Sequence, residues 1–127
     1  MAVRTLVMVD DDPFIRRVAQ LSLCKVGSWQ VVLAGSAKEA IALLAVCRPD
    51  VILLDVMMPE MDGPTLLCHI RNIKGLQFTP VIFMTAKIQS HEVERYLKMD
   101  AAGVISKPFD PMTLSQEIDE ILSGVAA

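Results

Sequence analysis

Five short apolar runs punctuate the chain at roughly even spacing. They are Leu6-Val7-Met8-Val9, Val31-Val32-Leu33, Val51-Ile52-Leu53-Leu54, Val81-Ile82-Phe83-Met84 and Val104-Ile105. Each is the length of a strand, and none alternates with polar residues. A strand that buries only one face alternates; one covered on both faces does not. The runs therefore predict strands of a parallel sheet sandwiched between helices.

Amphipathic segments fill the intervals, with helix candidates at about 13–26, 36–46, 63–73, 89–99 and 111–122. Asp12-Pro13 and Asp110-Pro111 each pair a capping carboxylate with a proline suited to a first helical turn. Ser36 and Glu39 have the spacing of a capping box, and Asp62-Gly63-Pro64 reads as a turn entering the third helix. The order is βαβαβαβαβα. Short crossover helices between parallel strands give a three-layer α/β sandwich. The expected architecture is a (βα)5 doubly wound, flavodoxin-like fold with a parallel five-stranded sheet in the order 2-1-3-4-5. With 127 residues the chain reads as a single domain, 1–127, whose last residues, 123–127, look frayed.

Composition narrows the function. Hydrophobic residues are 53% of the chain and aromatics only 5%, so the core must be aliphatic and methionine-rich. Twelve basic and fifteen acidic residues give a net charge of −3, with no basic block to draw nucleic acid or an anionic membrane. There is no signal-peptide pattern and no apolar run of spanning length, and a cytoplasmic location is expected. Cys24, Cys47 and Cys68 have no metal-ligand spacing and read as small buried hydrophobes of a reducing compartment. His69 and His91 fall in separate helix candidates and read as ordinary helix residues, Trp29 as a packing residue, and Arg16 and Arg17 as solvation of the first helix.

Ligands of an open parallel sheet bind beyond the carboxyl ends of the strands. Asp10, Asp11 and Asp12 follow the first run, Asp55 the third, Thr85 the fourth, and Ser106-Lys107-Pro108 the fifth. In the expected order these ends converge. Asp12 reads as a helix cap, because Pro13 follows it. Asp10 and Asp11 have no such structural reason, and adjacent acids beside a buried strand are costly without a cation. Oxygen-only ligands favour a hard ion such as Mg²⁺. Such a site suits phosphoryl transfer, in which a carboxylate can itself be the nucleophile. Lys107 would supply a fixed cation, and Thr85 a hydroxyl donor.

Four segments taken together, Val9-Asp10-Asp11-Asp12-Pro13, Leu54-Asp55 through Asp62-Gly63, Met84-Thr85-Ala86 and Ser106-Lys107-Pro108-Phe109, resemble the response-regulator receiver family. The resemblance runs in order over essentially the whole chain. It implies that Asp55 is the phosphoacceptor, that Asp11 binds Mg²⁺ directly, and that Asp10 acts largely through water. It further implies that the Met57 carbonyl is the third protein ligand and that Thr85 and Lys107 respond to the phosphoryl group. The Lys107–Pro108 bond is then expected to be cis. The implied partners are a sensor histidine kinase or a histidine phosphotransfer protein upstream, and a downstream protein or a following output domain. The implied role is a signalling switch that catalyses only its own phosphoryl transfer and autodephosphorylation. Met57 and Lys87 stand where the family tunes phosphoryl lifetime. One position departs: the family often has an aromatic residue on the fifth strand where this chain has Val104. A haloacid-dehalogenase type of phosphohydrolase fits less well, because Met57 stands where its second aspartate belongs. A receiver-like adaptor indifferent to phosphate would not need the full acceptor set, and a nucleotide-binding protein lacks its glycine-rich loop.

Overall fold

The computed structural model describes residues 4–86 and 90–126. Its elements run β1 (Thr5–Val9), α1 (Pro13–Val26), β2 (Gln30–Ala34), α2 (Ala37–Leu44), β3 (Val51–Asp55), α3 (Gly63–Arg71), β4 (Val81–Thr85), α4 (Ser90–Lys98), β5 (Gly103–Ser106) and α5 (Leu114–Ala126). All pairings are parallel and the order is β2-β1-β3-β4-β5, as the sequence predicts.

The runs are continuous because both sheet faces are covered. β3 and β4 are buried at every position. Val7, Val9, Ile52, Leu54, Val81 and Phe83 point to the side of α2, α3 and α4. Leu6, Met8, Leu53, Ile82 and Met84 point to the side of α1 and α5. Two cores, one per face, therefore hold the strand ends in place.

The helix starts follow their caps. Asp12 accepts from the amides of Phe14 at 2.9 Å and Ile15 at 3.4 Å. Ser36 Oγ accepts from the Glu39 amide at 3.1 Å, while Glu39 Oε2 reaches back to the Gly35 amide at 2.9 Å. The fourth helix was expected from residue 89, which lies outside the described residues.

The fifth helix begins three residues later than the Asp110-Pro111 signal predicts. Asp110 caps a turn instead: its carboxylate accepts from Met112 N at 2.8 Å, and its carbonyl from Leu114 N at 3.0 Å. The Pro111 carbonyl is taken by the hydroxyl of Ser22, reaching across from α1. That contact, 89 residues away in sequence, withholds the carbonyl from the helical ladder. The helix then continues to Ala126, so residues expected to be loose are helical as far as that point.

The cysteines also depart from expectation. Cys24 and Cys68 are exposed, and only Cys47 is half-buried. The buried stripe of α3 is Gly63, Pro64, Leu66, Leu67 and Ile70, a helical period that Cys68 falls outside. Cys24 likewise sits one step off the Ala19–Leu23 stripe of α1. His69 and His91 are exposed. Trp29 is 2% exposed, with the Arg4 guanidinium 3.9 Å above its ring.

Candidate functional site

The acidic rim is assembled from the ends of β1 and β3, with residues from the ends of β4 and β5 beside it. At the end of β1, Asp10 is fully buried. Its amide donates to the Ala34 carbonyl at 3.1 Å, and its Oδ1 accepts from the Asp12 amide at 2.9 Å. Asp11 is exposed beside it. Asp12 spends its carboxylate on the cap of α1, so of the three consecutive acids two are left free of a cap.

Asp55 closes β3 and is 5% exposed. Its Oδ1 accepts from the Met57 amide at 3.3 Å. The loop behind it is pinned by Gly63, whose amide donates to the Val56 carbonyl at 2.9 Å. A β-carbon on Gly63 would lie 2.6 Å from the Asp55 carbonyl oxygen, which only glycine avoids.

Thr85 closes β4 and is buried, and its carbonyl accepts from the Lys107 amide at 2.9 Å. The Lys107–Pro108 peptide is cis, as the resemblance implies. Lys107 Nζ lies 2.7 Å from Asp10 Oδ2 and 3.2 Å from Asp55 Oδ1. Asp10, Asp11, Asp55, Met57, Thr85 and Lys107 line one cavity of about 290 Å³. Among the described residues, Asp10, Asp11, Asp55, Met57, Thr85 and Lys107 are thus at one rim. Lys87 lies outside the described residues.

The electrostatics follow from this crowding. Burial pushes the Asp55 carboxyl up to about 6, the Asp10 charge adds to the rise, and Lys107 only partly offsets it. Burial pulls the Lys107 ammonium down, but its pairing with Asp10 and Asp55 outweighs that and leaves it above its usual range. One lysine is too little compensation for three carboxylates.

Their ligand oxygens lie within 4.8 Å of one another, a grouping found nowhere else among the described residues. Asp10 Oδ2 is buried, with the Lys107 ammonium 2.7 Å away as its charge-assisted partner. A compact, all-oxygen donor set of this kind fits Mg²⁺, with Asp10, Asp11 and Asp55 able to hold it.

The sequence matches the model of the response regulator receiver domain over residues 6–119. The chain belongs to that family. Its receiver domain is 33% identical over 94% of its length to the response regulator Rre1 of Synechocystis, and 32% identical over 98% to the alkaline phosphatase synthesis transcriptional regulatory protein PhoP of Bacillus subtilis. It spans about half of each, 52% and 51%. The solved structure of the chemotaxis protein CheY4 of Vibrio cholerae superposes with a TM-score of 0.88, at 29% identity, covering 94% of this chain and 99% of that one. The receiver domain is accordingly a two-component signalling module, and no described helix is long and apolar enough to cross a membrane.

Two features of the receiver site escape the sequence reading. Arg16 does not simply solvate α1: its Nη1 donates to the Asp10 carbonyl at 2.6 Å. The signal available was its place four residues after the cap, since helical side chains lean toward the N-terminus. The second is Tyr96, 5% exposed on α4, whose ring packs 4.9 Å from that of Phe83. Val104 is paired with Phe83 in register and packs in the same core. An aromatic ring thus reaches β4 from α4.

Proposed function

We propose that this receiver domain accepts a phosphoryl group on Asp55 from a phosphohistidine, with Mg²⁺, and that the modified state changes the preference of the α4–β5–α5 face for its partners. The observation that carries the reading is Lys107 Nζ held between Asp10 and Asp55 at 2.7 and 3.2 Å, at a rim where oxygens of Asp10, Asp11 and Asp55 lie within 4.8 Å of one another. A carboxylate with a nearby fixed cation and an adjoining cation site is what an aspartyl phosphate needs.

An Asp55 carboxylate oxygen attacks phosphorus. The phosphorus–nitrogen bond to the donor imidazole breaks, and its electron pair stays on that nitrogen. Asp55 must be ionised to attack, which favours neutral pH given a carboxyl titrating near 6. Lys107 keeps a positive charge beside the new phosphoryl oxygens, and Thr85 offers its hydroxyl to one of them. Mg²⁺, when bound through Asp10, Asp11, Asp55 and the Met57 carbonyl, supplies charge neutralisation during transfer. Exposed Met57, at the rim, meets the incoming donor.

The added charge biases a two-state equilibrium. Lys107 directly follows β5 and its amide donates to the Thr85 carbonyl at 2.9 Å, so a shift at Thr85 is felt at the end of β5. The donor is a sensor histidine kinase or a histidine phosphotransfer protein, and the output is a separate protein or a domain of the kind that fills the other half of the longer relatives.

The test is incubation with acetyl phosphate and Mg²⁺, followed by intact mass. The wild type gains one phosphoryl group, and Asp55→Asn gains none. Equal labelling of the two proteins rules the reading out.

A further inference from the structure

Arg16 sits behind the acidic rim rather than in it. Its amide bonds to the Asp12 carbonyl at 3.1 Å, which fixes it in the first turns of α1. From there its side chain leans back over the end of β1, and Nη1 donates to the Asp10 carbonyl at 2.6 Å. The guanidinium lies against Gly35: a β-carbon there would be 3.0 Å from Nη1 and 3.3 Å from Cζ. It is therefore walled by the loop after β2 and aimed at one oxygen.

That oxygen belongs to the peptide unit joining Asp10 to Asp11. The unit is planar, so fixing its oxygen also fixes the direction in which Asp11 leaves the chain. Asp10 is independently held through its amide and its Oδ1. Asp11 is exposed, so the peptide preceding it becomes its main restraint from this side. Arg16 does not line the acidic cavity, unlike Lys107, which contacts the same carboxylate oxygens that a cation would use.

We propose that Arg16 is a positioning residue for the divalent cation. By clamping the Asp10–Asp11 peptide it presets the angle between the two carboxylates, and so sets Mg²⁺ affinity rather than the rate of phosphoryl transfer at saturating Mg²⁺. The inference rests on the reading of Asp10 and Asp11 as Mg²⁺ ligands.

Calorimetry with MgCl₂ alone, on the whole domain, is the primary test. Arg16→Met binds Mg²⁺ about tenfold more weakly, the lower end of what loss of a ligand-orienting contact costs. Arg16→Lys falls between, because an ammonium keeps the charge without the flat fork. Gly35→Val keeps Arg16 but displaces its head, and also weakens binding. If Arg16→Met fails to fold, Gly35→Val decides alone. In acetyl phosphate labelling, the half-saturating Mg²⁺ concentration rises by the same factor as the dissociation constant, while the saturated rate stays at the wild-type value. Wild-type Mg²⁺ affinity in either variant overturns the proposal, as does a saturated rate that falls with no change in half-saturating Mg²⁺. Should no protein be labelled, wild type included, the phosphoacceptor reading fails while the calorimetry still decides the role of Arg16.

Discussion

Asp55 is buried, faces the Asp10 charge, and titrates near 6 instead of its ordinary 3.8. The folded chain therefore holds a proton on this carboxyl over a range where the unfolded chain has lost it. The stability this contributes is fully present below about pH 4 and is lost as pH rises through about 6. At neutral pH the folded protein carries a buried charge at a cost. Asp55→Asn removes that charge without changing shape, so in metal-free buffer its melting temperature exceeds the wild type's at pH 7.5. The gap closes toward pH 4.5. Thermal melts at the two pH values check this, and a gap independent of pH contradicts it. Lys107→Met acts in the opposite sense, since it leaves Asp10 and Asp55 without their counter-ion. Urea unfolding at neutral pH should show a loss of about 3 kcal/mol, typical of a broken buried ion pair, and saturating Mg²⁺ should recover part of it.

At this scale the sequence was informative where residue type and position coincided. Asp10, Asp11, Asp55, Thr85 and Lys107 follow apolar runs directly, and strand ends in a parallel sheet share one edge. Arg16 was not legible, because a basic residue on an amphipathic helix looks the same whether it meets water or a backbone carbonyl.

Among the elements, the start of α3 governs how closely the loop after Asp55 can pack. Gly63→Ala would place a β-carbon 2.6 Å from the Asp55 carbonyl oxygen and 3.1 Å from Val56 Cα, backbone atoms that cannot swing aside. It should cost about 1–3 kcal/mol, the usual range for overpacking, measured by urea unfolding. Gly124→Ala in α5 is the matched control. Nothing lies within 4 Å of its added carbon, so helix propensity alone should stabilise it by up to about 1 kcal/mol. The helix starts at Asp12 and Ser36 were readable because their caps are local. The start of α5 was not, because Ser22 of α1 competes for the Pro111 carbonyl from another part of the chain. The exposed cysteines were missed for a related reason: a neighbour of a buried leucine on a helix is as often off the stripe as on it.

For the molecule as a whole, the sheet order was readable from the unalternating runs, and it is the order that gathers three carboxylates at one edge. Mg²⁺ binding to that edge stabilises only the folded state. Adding it at about a hundred times its dissociation constant should raise stability by about 2.7 kcal/mol, seen as a higher melting temperature, and Asp11→Ala should lose most of the gain. Transfer of a phosphoryl group to one carboxylate at this edge is checked by reductive trapping. The domain is treated with acetyl phosphate and Mg²⁺, then with borohydride, which converts an aspartyl phosphate to homoserine, and the digested peptides are sequenced by mass spectrometry. Homoserine is expected at position 55 alone. Homoserine at position 10 or 11, or at none, would contradict it.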